Sequence, residues 1–198
     1  MKIVVGISGA SGAIYGYRLI EFLQKKQCEI HAVISKHGWQ VLEYECGILP
    51  ADIRSKVDFL HDVDNIGASI ASGSFKTDAM VIVPCSMKTL GSIAHGLADN
   101  LLSRAADVAL KEGRKLILVP REAPFNAIHL ENMLKLAQLG VRILPACPGF
   151  YHRPATLDDI INMLVGKICD SIGIEHDLFL PWTGDDSNAE GKKCLHKS

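Results

Sequence analysis

The sequence lacks the residue patterns that usually mark a disulfide-bonded or metal-binding protein. Its six cysteines are spread over 198 residues without a C-x-x-C pair, and its eight histidines form no H-E-x-x-H motif. Dispersed cysteines are typical of reduced thiols in an intracellular protein, whereas structural zinc sites need closely spaced ligands. We therefore expect a cytoplasmic protein that has no disulfide framework and no metal site.

A charge excess of one sign and long hydrophobic runs are missing as well. The chain has 21 Lys and Arg residues against 22 Asp and Glu residues, and it has no basic cluster outside the C-terminal tail. Nucleic acid binding requires a basic surface, so nucleic acid is not expected as the main partner. No apolar run reaches the roughly 18–20 residues of a membrane span, so no membrane contact is expected either.

The length and composition favour one well-filled α/β domain. Hydrophobic residues make up 48% of the chain, which is enough for one core, and 198 residues are few for two domains. From residue 183 onward the sequence is polar and has no hydrophobic periodicity. We therefore predict a single domain over residues 1–182 and a polar C-terminal tail over residues 183–198.

A glycine-rich turn near the amino terminus is the first feature that points to a ligand. Residues 2–7 form an apolar, β-branched strand pattern, and the small residues 8–12 then lead into a helical pattern. The first N–H groups of a helix attract anions, Gly9 and Gly12 permit a close backbone approach, and Ser11 offers a hydroxyl. Taken alone, the turn is equally consistent with a plain connection between a strand and a helix.

The spacing of this turn differs from the dinucleotide-binding fingerprint. Its glycines, at 6, 9 and 12, do not match G-x-G-x-x-G. Ser35 and Lys36 follow the second predicted strand, where that fingerprint expects an acidic residue for the ribose. A mononucleotide is therefore favoured over NAD.

Strand and helix patterns alternate along the rest of the chain. Helical patterns at 11–26, 36–46, 86–96, 100–112, 126–139 and after Thr156 separate apolar strand patterns at 2–7, 28–34, 78–84, 115–120 and 141–145. The alternation predicts a flavodoxin- or Rossmann-like doubly wound, mainly parallel sheet in a three-layer α/β/α arrangement. Helical periodicity places Leu130 and Leu134 on one apolar face and directs Leu157 to the core. Thr156 with Asp159 resembles a capping box at the start of the last helix.

Polar and aromatic residues follow the predicted strands, at the edge where such folds bind ligands. Hydroxyls come from Ser11, Ser35, Ser86 and Thr89, cations from Lys88 and Arg121, a carboxylate from Glu122, and aromatic rings from Phe150 and Tyr151. Each residue has an ordinary explanation as a helix cap, a solvated ion pair or a packing residue. Together they predict a crevice that binds a flat, phosphorylated ligand.

Eight sequence blocks carry a resemblance to a known family. They are GASGA with YG at 9–16, ISK at 34–36, ASGS at 71–74, PCSMKT at 84–89, NLL through RAADV at 100–108, VPREAPF at 119–125, HLENM at 129–133 and PGFYH at 148–152. In content and order the blocks resemble the UbiX-type flavin prenyltransferases, in particular the subclass that is encoded with phenolic-acid decarboxylases. The resemblance covers about residues 1–182.

The resemblance implies a specific activity. Members of that family bind FMN on a flavodoxin-like subunit, assemble into homododecamers, and transfer a dimethylallyl group from dimethylallyl monophosphate to N5 and C6 of reduced FMN. The prenylated FMN is the cofactor of UbiD-type aromatic acid decarboxylases. We therefore expect FMN as cofactor, a homo-oligomer, and a functional link to such a decarboxylase.

The resemblance also implies roles for individual residues. The expected FMN-binding residues are Gly9, Ala10, Ser11, Ser35, Ser86, Met87, Lys88, Thr89 and Arg121. The allylic substrate would be bound by Tyr151, Lys167, Lys111 and Trp182, with a contribution from Arg121. Glu122, Glu45 and Ser11 would be the catalytic residues. Lys167 stands where most family members have arginine, which changes the geometry of the phosphate contact but not its charge.

Two other functions stay open at this point. An FMN-dependent decarboxylase of the cysteine-decarboxylase type has a related fold, but it uses a P-A-S-A-N motif where this chain has Ala71-Ser72-Gly73-Ser74-Phe75. A non-catalytic flavin-binding subunit of a phenolic-acid decarboxylase is the other.

The aspartate pairs at 158–159 and 185–186 do not continue into D-D-x-x-D, so we expect prenyl transfer without a metal ion.

Overall fold

Strands alternate with helices along the chain. The computed structural model describes residues 1–182 and residue 184, so the predicted tail lies outside the described residues apart from Gly184. The elements are β1 (Lys2–Ile7), α1 (Ala13–Lys25), β2 (Glu29–Ile34), α2 (Lys36–Cys46), α3 (Pro50–Arg54), β3 (Phe59–His61), β4 (Ala79–Cys85), α4 (Met87–Ala94), α5 (Leu101–Lys111), β5 (Lys115–Pro120), α6 (Ala127–Gln138), β6 (Arg142–Ile143) and α7 (Leu157–Ile172). None of these helices is long and apolar enough to cross a bilayer.

The strands form one parallel sheet with the order β3-β2-β1-β4-β5-β6. The chain moves outward from β1 to β3, returns to the centre at β4, and then moves outward in the other direction. The strand order therefore reverses between β1 and β4, which is the switch point where doubly wound folds bind ligands. This confirms the predicted fold class, and every strand pair is parallel.

Helices cover both faces of the sheet, as the apolar strands require. On one face, Ile7 of β1 shares a core with residues of α1, α2 and α7. On the other face, Val4 of the same strand packs in a second core with residues of α4, α5 and α6. Gly16 lets α1 lie directly on the sheet, because a Cβ there would collide with the Val83 carbonyl and lie 2.8 Å from the Ile7 side chain.

The predicted apolar face of α6 is wrong. Leu130 and Leu134 are 54% and 60% exposed, whereas Met133 and Leu136 are buried. Both pairs satisfy a helical period, so the sequence did not distinguish them. In the structure α6 packs against α4 and β6 at the end of the sheet, and only a narrow stripe of the helix faces the core.

The first turn of α7 combines one confirmed prediction and one wrong one. Thr156 and Asp159 form the predicted capping box, in which each accepts a hydrogen bond from the other's backbone N–H. Leu157 was expected in the core but is 71% exposed. Ile161 and Leu164, one and two turns later, are the first residues of this stripe to be buried.

Candidate functional site

Ser8 joins the two strands at the switch point. Its hydroxyl donates to the carbonyl of Pro84 at 2.9 Å and accepts from the backbone N–H of Ser86 at 2.7 Å. The side chain is buried, and it lies just beyond Gly6 and Ile82, the last regular pair between β1 and β4. These bonds fix the turn after β1 against the start of α4.

The N–H groups at the start of α1 bind a carboxylate of the same chain. Gly12 has a φ of 93°, a left-handed conformation that favours glycine, and α1 begins at the next residue. The Glu45 carboxylate accepts hydrogen bonds from the N–H groups of Gly12 and Ala13 at 2.8 and 3.4 Å. Glu45 therefore supplies the negative charge that was expected from a ligand at this helix end.

Arg121 and Glu122 follow β5 at the same edge of the sheet. The Nε–H of Arg121 donates to the backbone carbonyl of Ser11 at 3.1 Å, which connects segments that are 110 residues apart in sequence. Glu122 is exposed, and its carboxylate accepts a hydrogen bond from the N–H of Ala123 at 3.0 Å. The structure thus brings Ser11, Arg121 and Glu122 into one region.

Ser35 and Ser86 cap two helices that begin at this edge. The Ser35 hydroxyl accepts from the N–H of Gly38 at 3.0 Å, and Ser86 accepts from the N–H of Thr89 at 3.3 Å. The Ser86 hydroxyl also donates to the Thr89 hydroxyl at 3.1 Å. The positive ends of α2 and α4 therefore both point toward the space beyond the strands.

A cavity of about 240 Å³ lies between these two helix starts. Ser35 and Lys88 line it together with Lys36, His37, Val63, Asp64, Asp99 and Asn100, and the Lys36 ammonium pairs with the Asp64 carboxylate at 2.9 Å. The hydroxyl-capped start of α2 and the Lys88 ammonium are donors that suit a phosphate group, and Ser86 caps the neighbouring start of α4 without lining the cavity. The residues present therefore fit the phosphate of a mononucleotide such as FMN.

Gly9, Ala10 and Met87 contribute mainly backbone and packing. Gly9 lies against His37 so closely that a Cβ would collide with it, and Ala10 is buried. Met87 is the first residue of α4 and packs on the core. Their packing keeps the backbone of two turns, the one after β1 and the one before α4, at the edge of the sheet. The hydroxyl groups of Ser35 and Ser86 lie at the same edge.

Tyr151, Lys167 and Trp182 line a second cavity, of about 630 Å³. Tyr151 follows β6, Lys167 lies on α7, and Trp182 is near the end of the described chain. The Tyr151 and Trp182 rings meet edge to face with centroids 6.3 Å apart. The fold therefore gathers three of the four side chains expected to bind the allylic substrate, although 31 positions separate Tyr151 from Trp182.

Lys111 lies apart from that cavity. It is the last residue of α5 and precedes β5, so it stands at the amino-terminal edge of the sheet, opposite the strand ends that carry the other site residues. Its ammonium forms a close ion pair with the carboxylate of Glu112. Lys111 of the same chain is therefore not brought together with Tyr151 and Lys167.

Burial changes the acidity of two side chains near the switch point. Desolvation raises the pKa of Tyr15 on α1, with a smaller contribution from the neighbouring Cys147. Burial also raises the pKa of the Cys85 thiol, which lies beneath Ser86 and has a side chain closed off from solvent. Cys85 therefore stays a neutral thiol and serves as a packing residue.

Sequence reasoning missed Ser8, Asp170 and His176. A hydroxyl directly after an apolar strand could have indicated Ser8. The place of Asp170 beside Lys167 follows from their i,i+3 spacing on α7, but no local pattern indicated that His176 contacts Asp170, because that contact forms only when the segment after α7 packs against the helix.

Comparison with known proteins places the chain among described relatives. The flavoprotein family model matches residues 1–169. The chain is 51% identical to the flavin prenyltransferase UbiX of Halalkalibacterium halodurans, with coverage of 93% of this chain and 94% of that protein. Two solved structures superpose with a TM-score of 0.91.

One of these structures is a dodecameric FMN-dependent UbiX-like decarboxylase from Escherichia coli O157:H7, 47% identical, with 93% of this chain and all of that chain covered. The other is AnUbiX in complex with FMN and dimethylallyl pyrophosphate, 40% identical, with 92% and 97% covered. The peptidyl-cysteine decarboxylase EpiD is only 19% identical at a TM-score of 0.61, which shows a shared fold alone. The chain therefore belongs to the flavoprotein family and, within it, to the UbiX flavin prenyltransferases.

Proposed function

We propose that this chain transfers the dimethylallyl group of dimethylallyl monophosphate to N5 and C6 of reduced FMN. The observation that carries the proposal is the placement of two groups of side chains, one at the strand ends of the parallel sheet and one around the loop after β6, α7 and the residues that follow α7. One group, around Ser35 and Lys88, offers donors for a phosphate. The other, around Tyr151 and Trp182, offers aromatic rings beside the cation of Lys167.

Ser35, Ser86, Thr89 and Lys88 would hold the FMN phosphate between the starts of α2 and α4. Hydrogen bonds from hydroxyls and an ammonium to a phosphate are charge-assisted, so they are shorter and stronger than neutral ones. Both helix ends add a favourable field for the same anion. Reduced FMN supplies the electron-rich N5 and C6 atoms that accept the allyl group.

Arg121 and Glu122 would act next to the ring. The bond from Arg121 Nε to Ser11 leaves the terminal nitrogens of the guanidinium for a ligand. Bond formation at C6 requires removal of the C6 proton, and Glu122 is the carboxylate proposed to accept it. A positioned base of this kind contributes roughly 10²–10⁴-fold to the rate.

Lys167 and Tyr151 would take the charge of the departing phosphate. As the allylic C–O bond breaks, negative charge grows on the phosphate and positive charge on the allyl group. A lysine and a phenol stabilise the former, and the faces of Tyr151 and Trp182 stabilise the latter, by ~1–2 kcal/mol per desolvated ring. The side chains present thus match both halves of the charge separation.

We further propose a homododecamer, like the Escherichia coli relative, and a UbiD-type aromatic acid decarboxylase as the consumer of the product. Within one chain Lys111 lies at the edge of the sheet opposite Tyr151, so its proposed contact with the allylic phosphate would have to be made in the cavity of a neighbouring copy. A cytoplasmic location stays a prediction from the dispersed cysteines.

The decisive experiment incubates the purified protein with reduced FMN and dimethylallyl monophosphate and then measures the mass of the flavin. Addition of one dimethylallyl unit is the expected result, and Glu122→Gln should bind FMN normally but form the C6-closed product more slowly. Unmodified FMN bound at full occupancy would indicate a non-catalytic flavin-binding subunit. Release of CO₂ from a peptide with a carboxy-terminal cysteine would indicate a cysteine decarboxylase.

A further inference from the structure

Asp170 links the helix that carries Lys167 to the segment that carries Trp182. One oxygen of its carboxylate lies 3.5 Å from the Lys167 ammonium, and the other lies 3.1 Å from Nε2 of His176. His176 belongs to residues 174–182, which follow the end of α7 and which we call the C-terminal segment. The 630 Å³ cavity is lined by Lys167, Asp170, His176 and Trp182, among others.

The hydrogen bonds of His176 define which nitrogen carries the proton. The backbone N–H of Leu178 lies 3.3 Å from Nδ1 of His176, and an N–H group can only donate. Nδ1 is therefore the acceptor, so the imidazole hydrogen resides on Nε2 and is donated to Asp170. The His176 side chain is 7% exposed, whereas that of Asp170 is 51% exposed.

A second contact shows that the C-terminal segment is fitted to α7. Gly166 lies opposite the segment, and a Cβ at that position would lie 2.6 Å from the Phe179 ring and 2.7 Å from the His176 ring. The Phe179 ring also lies 5.6 Å from the Lys167 ammonium and 5.1 Å from the His176 ring. The absence of a side chain at Gly166 is thus required for this close approach.

We propose that Asp170 and His176 are positioning residues, which fasten the C-terminal segment to α7 so that Trp182 and Lys167 face the same cavity. Neither residue needs to touch the reacting atoms. The proposal rests on the proposed function for the identity of the ligand, dimethylallyl monophosphate, but the fastening itself can be measured without catalysis. The alternative is that the apolar contacts of Ile174 and Leu178 with the core hold the segment by themselves.

Trp182 provides a direct readout, because the chain has only one other tryptophan, Trp39. In a Trp39→Phe background, acrylamide quenching of fluorescence reports how accessible Trp182 is. Trp182 is 63% exposed in the folded chain, so His176→Ala and Asp170→Ala should each raise the quenching constant by less than twofold but measurably. His176→Gln should restore it toward the parent value, because the glutamine amide can still donate to Asp170.

A double-mutant cycle tests whether the two residues act as one unit. The double variant Asp170→Ala with His176→Ala should quench no more than either single variant, since each single change already removes the shared bond. Asp177→Ala, an exposed neighbour in the same segment, is the matched control and should quench like the parent.

Gly166→Ala separates the attachment of the C-terminal segment from the formation of helix α7. Alanine is a better helix former than glycine, so α7 should not be weakened, yet its Cβ should displace Phe179 and His176. We expect greater quenching of Trp182 with an unchanged helical circular dichroism signal, because the displaced rings lie outside α7. A loss of melting temperature without a change in quenching would contradict the proposed fit.

The kinetic consequence should fall on substrate binding. His176→Ala should raise the KM for dimethylallyl monophosphate about tenfold, a loss of the size expected for one interaction, with little change in kcat. Unchanged quenching and KM in both single variants would overturn the positioning role. If the wild-type protein does not prenylate FMN while the quenching results hold, the proposed function fails and the fastening stands.

Discussion

The carboxylate of Glu45 accepts a hydrogen bond from the backbone N–H of Gly12 at 2.8 Å, directly at the start of α1. The sequence favoured this helix end as a ligand phosphate site, but the chain fills it with its own negative charge. The phosphate of FMN is therefore expected at the starts of α2 and α4, where Ser35 and Ser86 supply hydroxyl groups.

Replacement of Glu45 should both destabilise the protein and open an anion site. Glu45→Ala removes a helix-capping acceptor, which typically costs about 1 kcal/mol of unfolding free energy. The freed N–H groups of Gly12 and Ala13 should then bind inorganic phosphate, which would raise the melting temperature more than in the wild type. Glu43→Ala is the matched control. Equal phosphate responses in all three proteins would contradict the capping role.

The contact between Arg121 and Ser11 predicts a graded effect on FMN affinity. Arg121→Ala should weaken FMN binding roughly 10–100-fold, since a hydrogen bond from a charged group contributes about 1.5–3 kcal/mol. Arg121→Lys should recover only part of the loss, because lysine has no planar fork that can contact Ser11 and a ligand together. Flavin fluorescence titration measures the effect, with Arg54→Ala on α3 as the control. A full recovery by lysine would show that charge alone matters.

Lys167 should affect the allylic substrate and not the flavin. Lys167→Ala is expected to raise the KM for dimethylallyl monophosphate roughly 10–100-fold, because a charged hydrogen bond to the phosphate is lost. FMN affinity should be unchanged, since Lys167 does not line the cavity of Ser35 and Lys88. Lys167→Arg should restore or improve binding through two parallel hydrogen bonds. Identical substrate titrations for wild type and Lys167→Ala would contradict this role and leave Lys167 as an ordinary surface lysine.

The pair His31 and His61 predicts a pH-dependent stability. Nδ1 of His31 lies 2.9 Å from Nε2 of His61, and burial, with a further effect of His31, lowers the pKa of His61 below its ordinary value of 6.5. At a pH between the lowered pKa and 6.5, the unfolded chain binds a proton that the folded chain does not. The contribution of His61 to the free energy of unfolding should therefore be fully present above pH 6.5 and should decrease as the pH falls through this window.

Melting temperatures measured from about pH 7 to about pH 5 should show this decrease, and His61→Gln should flatten it. Glu29, which also contacts His31, has a pKa below its ordinary value of 4.5 and so titrates outside the window. His95→Gln, at an exposed position, serves as the control. A slope in His61→Gln as steep as in the wild type would assign the effect to other groups.

The local features of the fold were predictable because they depend on neighbouring residues. Apolar runs marked β1, β4 and β5 to within one residue, since strands buried on both faces have few alternatives. The caps at Ser86 and Thr156 were recognisable because each lies at the start of its own helix. Parallel strands also place all these turns at one edge, so the region of the site followed from the alternation.

The sequence by itself thus determined the fold class, the family and the edge of the sheet that carries the candidate site. Only the tertiary structure decided which apolar face of α6 is buried, that Glu45 caps α1, and that His176 contacts Asp170. The physical reason is that these contacts join different elements. Periodicity and caps are set within one helix, whereas these contacts depend on how separate helices and loops pack against the sheet and against each other.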